Sequence, residues 1–207
     1  MISNYEITQR QMEKAFLDYD QTAMIEQFHL RHDAHWLYLH FLRREYRIDR
    51  MSGAVEWSDD GFASVHRAGY NEAMTFYDLL CNAKPGCRIA GEFVNMKSLC
   101  AIKGSSQSVG SNYYDRTAAM FDGQNAKLAL ACEKLGGVPM SRGDVAYQIP
   151  LVDFLPLVFQ FWNADEEFPA TIELFWDKNI LDFMHYETVW YAASHLYYRI
   201  KEEMELL

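Results

Sequence analysis

Carboxylates crowd one short stretch of this 207-residue chain. Asp165, Glu166 and Glu167 lie between Trp162 and Phe168-Pro169, Asp177 follows the apolar run Leu174-Phe175-Trp176, and Glu187 stands at Tyr186-Glu187, where a last helix opens. Converging carboxylates can bind a hard cation through oxygen, or work as an acid/base pair if burial against Trp162 and Phe168 raises one of them. The same residues also suit structure. Asp165 can accept backbone N–H groups in a reversal, Pro169 restricts the return, Asp177 caps, and Glu187 complements a helix dipole. The structural reading comes first, because each acid sits where a turn or a helix start wants one.

Histidines form a second group, His29, His32, His35 and His40 around Asp33. On a continuing helix, His29, His32 and His35 share one side, and three imidazoles with Asp33 would complete a zinc, nickel or iron shell. Their spacing is not H-E-x-x-H, and the stretch straddles a change from helix to strand. Solvated or stacked histidines are therefore the plainer reading.

Gly104 to Asn112, rich in Gly and Ser, can present backbone N–H groups to an anion ahead of a helix, with Gly104, Gly110 and Ser111 as the cradle and Tyr113 and Tyr114 beside it. It is not a P-loop: five residues separate Gly104 from Gly110, and no Lys precedes Ser111. A surface loop, or a lid over a pocket, fits the composition. Among nucleophiles, Ser141 and Ser194 lack a G-x-S-x-G setting, and Cys87, next to Arg88, is the thiol best placed for a lowered pKa.

The elements that position these groups follow from periodicity. Residues 8 to 28 read as one or two short helices, the second capped by Asp20. From His35 the period becomes two: Leu37, Leu39 and Phe41, then Tyr46 and Ile48, then Val55 and Trp57 form a three-strand meander, which Ser58-Asp59-Asp60-Gly61 ends. Tyr70 to Cys81 is a helix stopped at Lys84-Pro85-Gly86. Asp115 caps one long helix with the stripe Ala118, Phe121, Asn125, Leu128, Cys132 and Leu135, terminated at Gly136-Gly137. Val145 to Ile149, Phe154 to Trp162 and Ala170 to Trp176 are strands, with breaks expected at Pro150 and Pro156. A final helix runs from about Tyr186 to Met204. The expectation is a single α+β domain over residues 1–207, with a largely antiparallel sheet, the N-terminal meander plus the strands around the acidic turn, packed with helices.

Composition narrows the partners. With 19 Lys and Arg against 29 Asp and Glu, a net charge of −10 repels nucleic acid and anionic lipid. The basic run Arg43 to Arg50 reads as a solvated sheet face, since Glu45 and Asp49 share a side with Arg47. Neither a secretory signal nor a membrane-length apolar run is present, so the expected setting is cytoplasmic, without a membrane partner. Cys81, Cys87, Cys100 and Cys132, separated by five, twelve and thirty-one residues, fit neither zinc spacing nor a disulfide scaffold.

The run Trp162-x-x-Asp165-Glu166-Glu167-Phe168-Pro169, preceded by Asp144, Pro150 and Pro156 and followed by Leu174-Phe175, Asp177 and Glu187, resembles a prokaryotic domain family of unknown function. That family occurs alone or beside iron–sulfur domains and often carries an iron–sulfur label. Arg44-Glu45-Tyr46, Tyr77-Asp78-Leu79-Leu80 and Phe93 to Leu99 fit more loosely. The resemblance covers nearly the whole chain, with only the C-terminal motif specific. It implies the fold boundaries and a bacterial or archaeal cytosolic setting, and it supplies no reaction. A cluster needs closely grouped thiolates, so no iron–sulfur cluster is expected within this chain, and any cluster belongs to a partner or fused protein.

Three functions compete. The first is a binding or accessory module for a small molecule or cofactor, its pocket near Tyr113, Tyr114 and Trp162 under the Gly/Ser loop. The second is a hydrolase or transferase using Asp165, Glu167, Asp177 or Glu187 with a metal or as acid and base. Self-association through Tyr191 and Tyr198 is the third.

Overall fold

Helical and strand periods resolve into an α+β protein in the computed structural model, which describes residues 3–99 and 111–205, the side chains of residues 97 and 111–115 excepted. Every strand pairing among the described residues is antiparallel. The chain divides into two compact units: Met1–Arg88, Val152–Phe154 and Asn179–Leu196 form the first, and Ile89–Leu151, Leu155–Lys178 and Tyr197–Leu207 the second.

The first unit opens with α1 (Asn4–Phe16), started by a capping box in which Ser3 and Glu6 exchange bonds, and α2 (Gln21–Phe28). Asp20 caps α2 by accepting the N–H groups of Thr22 and Ala23 at 2.9 and 3.1 Å. Strands β1 (Arg31–His32), β2 (Trp36–Phe41), β3 (Arg44–Asp49), β4 (Val55–Ser58) and β5 (His66–Arg67) follow, in the spatial order β5-β4-β3-β2 with β1 also on β2. The meander is as the period-two pattern predicts, but Ser58 to Gly61 does not end the sheet. The chain loops back so that His66 pairs with Trp57 and stacks on its ring, 4.3 Å between centroids. Leu37, Leu39, Phe41, Tyr46 and Ile48 turn inward against α3 (Tyr70–Asn82), where Phe76 packs 5.5 Å from Phe41 and 5.0 Å from Tyr46. The β3–β4 turn needs its glycine. Gly53 has φ +77, and a Cβ there would lie 2.1 Å from the Glu13 carbonyl oxygen. The single turn α7 (Ile180–Phe183) and the start of α8 (Tyr186–Glu205) complete the unit.

The second unit holds β6 (Phe93–Asn95), α4 (Met96–Leu99), α5 (Ser111–Phe121), α6 (Asn125–Lys134), β7 (Val138–Pro139), β8 (Val145–Val152, the last residue in the first unit), β9 (Leu155–Trp162) and β10 (Thr171–Asp177). Their order is β8-β9-β10-β6, with β7 on β8. Phe121, Leu128, Cys132, Ile149, Phe159, Phe161 and Trp176 are buried here.

Two sequence expectations change in this unit. The stripe from Ala118 to Leu135 is two helices and not one, because Gly123, at φ +69, breaks the chain between Phe121 and Asn125. Asp115 lies inside α5, which starts at Ser111. Both helices bury their apolar face, so the period continues across the break and hides it. Pro150 and Pro156 do not interrupt their strands either. Pro150 falls between the residues of β8 that pair with β7, Tyr147 and Gln148, and Val152, which pairs with Phe41. Pro156 precedes Leu157, the last residue of β9 in register with β10. Neither lies at a residue whose N–H those ladders require.

Candidate functional site

The acidic reversal joins β9 to β10, and its first carboxylate, Asp165, is spent on backbone. Asp165 accepts the N–H groups of Glu167 and Phe168 at 2.8 and 2.7 Å, and these bonds, Glu167 first, hold its carboxyl below the usual aspartate range. Glu166 and Glu167 themselves point into solvent. Residues before the motif brace it: Asp144 accepts the backbone and side-chain N–H groups of Asn163 at 2.7 and 3.0 Å, and Asp122 accepts the Ala164 N–H at 2.9 Å. Gly123 N–H donates to Asn163 Oδ1 at 3.0 Å, so the helix break that the periodicity missed is part of the brace. Trp162, half-buried, ends β9.

Asp177 does not join this group. It stands at the other end of β10, about 20 Å from Thr171 at the usual strand rise of ~3.3 Å per residue. It is fully buried and accepts the N–H groups of Ala90 and Gly91 at 2.9 and 2.8 Å, fixing the loop that leads into β6. It is not the cap of α7, whose N-cap is Asn179. Glu187, in the first unit, accepts the Tyr191 hydroxyl at 2.8 Å. Within the second unit, Asp165 and Asp177 are therefore separate structural anchors at opposite ends of β10.

Gly104 and Gly110 lie outside the described residues. Ser111, Tyr113 and Tyr114 form the first turns of α5, and their side chains are outside the description too.

The histidines do not share a helix face. His29 is the C-cap of α2 in the left-handed conformation, φ 51, so the helix stops before His32, which lies in β1, and His35, which follows an aspartate turn. Asp33 accepts the N–H groups of His35 and Trp36 and the Tyr38 hydroxyl, and the His35 bond leads in holding it below its ordinary value. No group of three or more His, Cys, Asp or Glu that could hold a metal ion occurs among the described residues. Cys87 also departs from expectation. Burial pushes its thiol up, and the Gln27 amide at 3.5 Å offsets this only in part. Burial likewise raises Cys81, to about 12, and Cys132.

Tyr191 packs edge-on to Tyr70, while Tyr198 is exposed. On the outer sheet face of the first unit Arg47 is matched with Glu56 at 2.8 Å and Arg31 with Glu45, while Arg44, buried on the opposite face of β3, is matched with Asp59 at 2.9 Å. Arg47 also lies 3.9 Å over the Trp36 ring, and Arg44 3.9 Å over Trp57.

The geometry gathers chemistry at a place the spacing does not show. A cleft of about 150 Å³ in the first unit is lined by Phe28, His29, Leu30, Arg31, Tyr38, Leu39, His40, Asp153 and Phe154. The end of α2 supplies Phe28 and His29, β1 supplies Arg31, β2 supplies Tyr38 to His40, and the two-residue β8–β9 turn supplies Asp153 and Phe154. Phe28 and Phe154 stack at 4.6 Å and close the apolar side. Asp153 holds His40 at two points: Nδ1 lies 3.0 and 3.2 Å from its two carboxylate oxygens, and the His40 backbone N–H donates at 3.3 Å. With Nδ1 committed, Nε2 is the ring nitrogen available to a ligand. Arg31 lies 3.8 Å over the Tyr38 ring. An oriented imidazole, a guanidinium and stacked rings around one small hollow can bind a molecule with a polar end and an apolar body. His40 and Asp153 are 113 residues apart, so no local motif announces the pair.

The family model of Domain of unknown function (DUF3786) matches residues 20–199, and the chain belongs to that family. Neither a curated protein nor a solved structure matches the chain.

Proposed function

We propose that this protein is a cytoplasmic binding or accessory domain for a small molecule or cofactor, and that the ligand occupies the cleft between the end of α2, β1, β2 and the β8–β9 turn. The observation that carries this reading is the His40–Asp153 pair set into a hollow closed by stacked Phe28 and Phe154. Polar groups fixed in direction, His40 by Asp153 and Arg31 by Glu45, stand beside an apolar wall of Phe28, Leu30, Leu39 and Phe154, and such a pairing is found in small-molecule sites. No helix of the described residues is long and apolar enough to cross a membrane, which agrees with action away from one. The matched arginines of the first unit leave little net positive charge for nucleic acid. An iron–sulfur protein is the partner the family resemblance suggests, with its cluster held by its own cysteines.

A second reading, an enzyme working by acid and base, draws on the same pair. A carboxylate that fixes one imidazole nitrogen leaves the other positioned to move a proton. The acidic reversal lends this reading little, since Asp165 holds backbone and Glu166 and Glu167 face solvent.

Native mass spectrometry of the protein incubated with a fragment library tests the binding reading, alongside a Phe154→Ala variant that opens the apolar wall. Saturable adducts that weaken in the variant are expected. Adducts indifferent to the change would place the ligand elsewhere and overturn the proposal.

A further inference from the structure

The hydrogen-bonding capacity left over in the cleft is one-sided. Asp153, the one carboxylate lining it, has both oxygens engaged with His40. The Tyr38 hydroxyl donates to Asp33 at 2.8 Å. Arg31 commits one nitrogen to Glu45 and keeps further N–H groups, since guanidinium has five. The His29 ring has no partner among the described residues, and His40 keeps Nε2. Donors remain, while Asp153 is already paired with His40 and Glu45 with Arg31.

We infer that the ligand is a small aromatic acid, an anion whose carboxylate or phosphate meets Arg31, His29 and His40 while its ring lies against Phe28, Leu30, Leu39 and Phe154. The inference rests on the cleft reading above and names the ligand class. Size agrees with it: a cavity of roughly 150 Å³ takes one benzene ring. Charge agrees as well. On a chain of net charge −10, an anion finds few places where Arg and two His face it with no unengaged acid.

When His40 is neutral, the proton on Nδ1 faces Asp153, and Nε2 carries a lone pair that repels an anion. The imidazolium form turns Nε2 into a donor that can meet an anion. The charged groups around His40 are Asp153 on the β8–β9 turn, Glu45 opposite it on β3, Arg31 on β1 and His29 at the end of α2.

The test is an NMR titration of the full chain with four probes of similar size: benzoate, phenyl phosphate, neutral benzamide and cationic benzylamine. Benzoate or phenyl phosphate should give saturable shifts at Leu39, His40 and Phe154, and the tighter of the two identifies a carboxylate or a phosphate source. Binding should weaken about tenfold in Arg31→Gln, the loss of roughly one charge-assisted bond. In His40→Asn binding of the anion should weaken too, with an unchanged amide spectrum elsewhere showing that the variant is folded. Preference for benzamide or benzylamine at the same residues would overturn the inference and leave the cleft reading intact. Absence of shifts with all four probes would overturn both.

Discussion

Replacing Asp177 separates a structural acid from a catalytic one. The side chain is fully buried and its two oxygens take the N–H groups of Ala90 and Gly91 at 2.9 and 2.8 Å. A hydrogen bond to a charged group contributes roughly 1.5–3 kcal/mol, and the exposed loop lets water replace part of what is lost. Two such bonds at the lower end put Asp177→Ala at about 3 kcal/mol of lost stability. For a chain of this size that is roughly 6–12 °C in Tm, or about 1 M in the urea midpoint. Asp177→Asn keeps one carbonyl acceptor and turns an amide donor toward a backbone donor, so it should lose about half as much. Thermal and urea unfolding of both variants give the answer. Groups retained for chemistry often cost stability, and removing them often restores it. If Asp177→Asn equals or exceeds the wild type in stability, the assignment of Asp177 as an anchor for the β6 loop is wrong.

Gly53→Ala should destabilise by more than about 2 kcal/mol, because it combines a left-handed backbone with a Cβ 2.1 Å from the Glu13 carbonyl oxygen; urea unfolding reads it directly. In the acidic reversal, Asp165→Ala should lower Tm, while Glu166→Ala and Glu167→Ala should leave it unchanged, as scanning calorimetry will show. The pH dependence has a definite sign. Asp60 is lowered from 3.8 to about 2, by the Ser64 N–H first and then the Ser58 hydroxyl, and Asp165 is lowered by its turn bonds. Both are easier to protonate unfolded than folded, so their contribution is complete above the ordinary aspartate value of 3.8 and drains away as pH falls toward about 2. Urea midpoints that fail to drop across that window would contradict the assignment. Cys87, raised by burial, should react with a disulfide reagent near pH 8 more slowly than a free thiol, and a faster rate would restore it as a candidate nucleophile.

Periodicity made the scaffold legible where one face of an element is buried. The meander follows from alternation at Leu37, Leu39, Phe41, Tyr46 and Ile48, and Asp20 announces its own helix. It failed where a local conformation interrupts a pattern without changing its phase. Gly123 splits a helix whose stripe continues beyond it, and His29 ends another by adopting φ 51. The acidic motif is legible as a turn in Asp165, but its braces at Asp122 and Asp144 lie far away in the chain. Asp177 reads as part of the same motif and works at the other end of β10, because a strand separates its ends in space while keeping them close in sequence. The cleft was hidden for the converse reason. Phe28, Arg31, His40 and Phe154 are brought together by β2 and a hairpin turn more than a hundred residues away, and no spacing encodes that meeting.

A crystal structure of the protein soaked with benzoate, read at the β8–β9 turn, addresses the central claim most directly. The ring is expected against Phe28 and Phe154, with the carboxylate within hydrogen-bonding distance of Arg31 and His40 Nε2. Benzoate ordered at the Asp165 reversal, with the Phe28–Phe154 cleft empty, would contradict it.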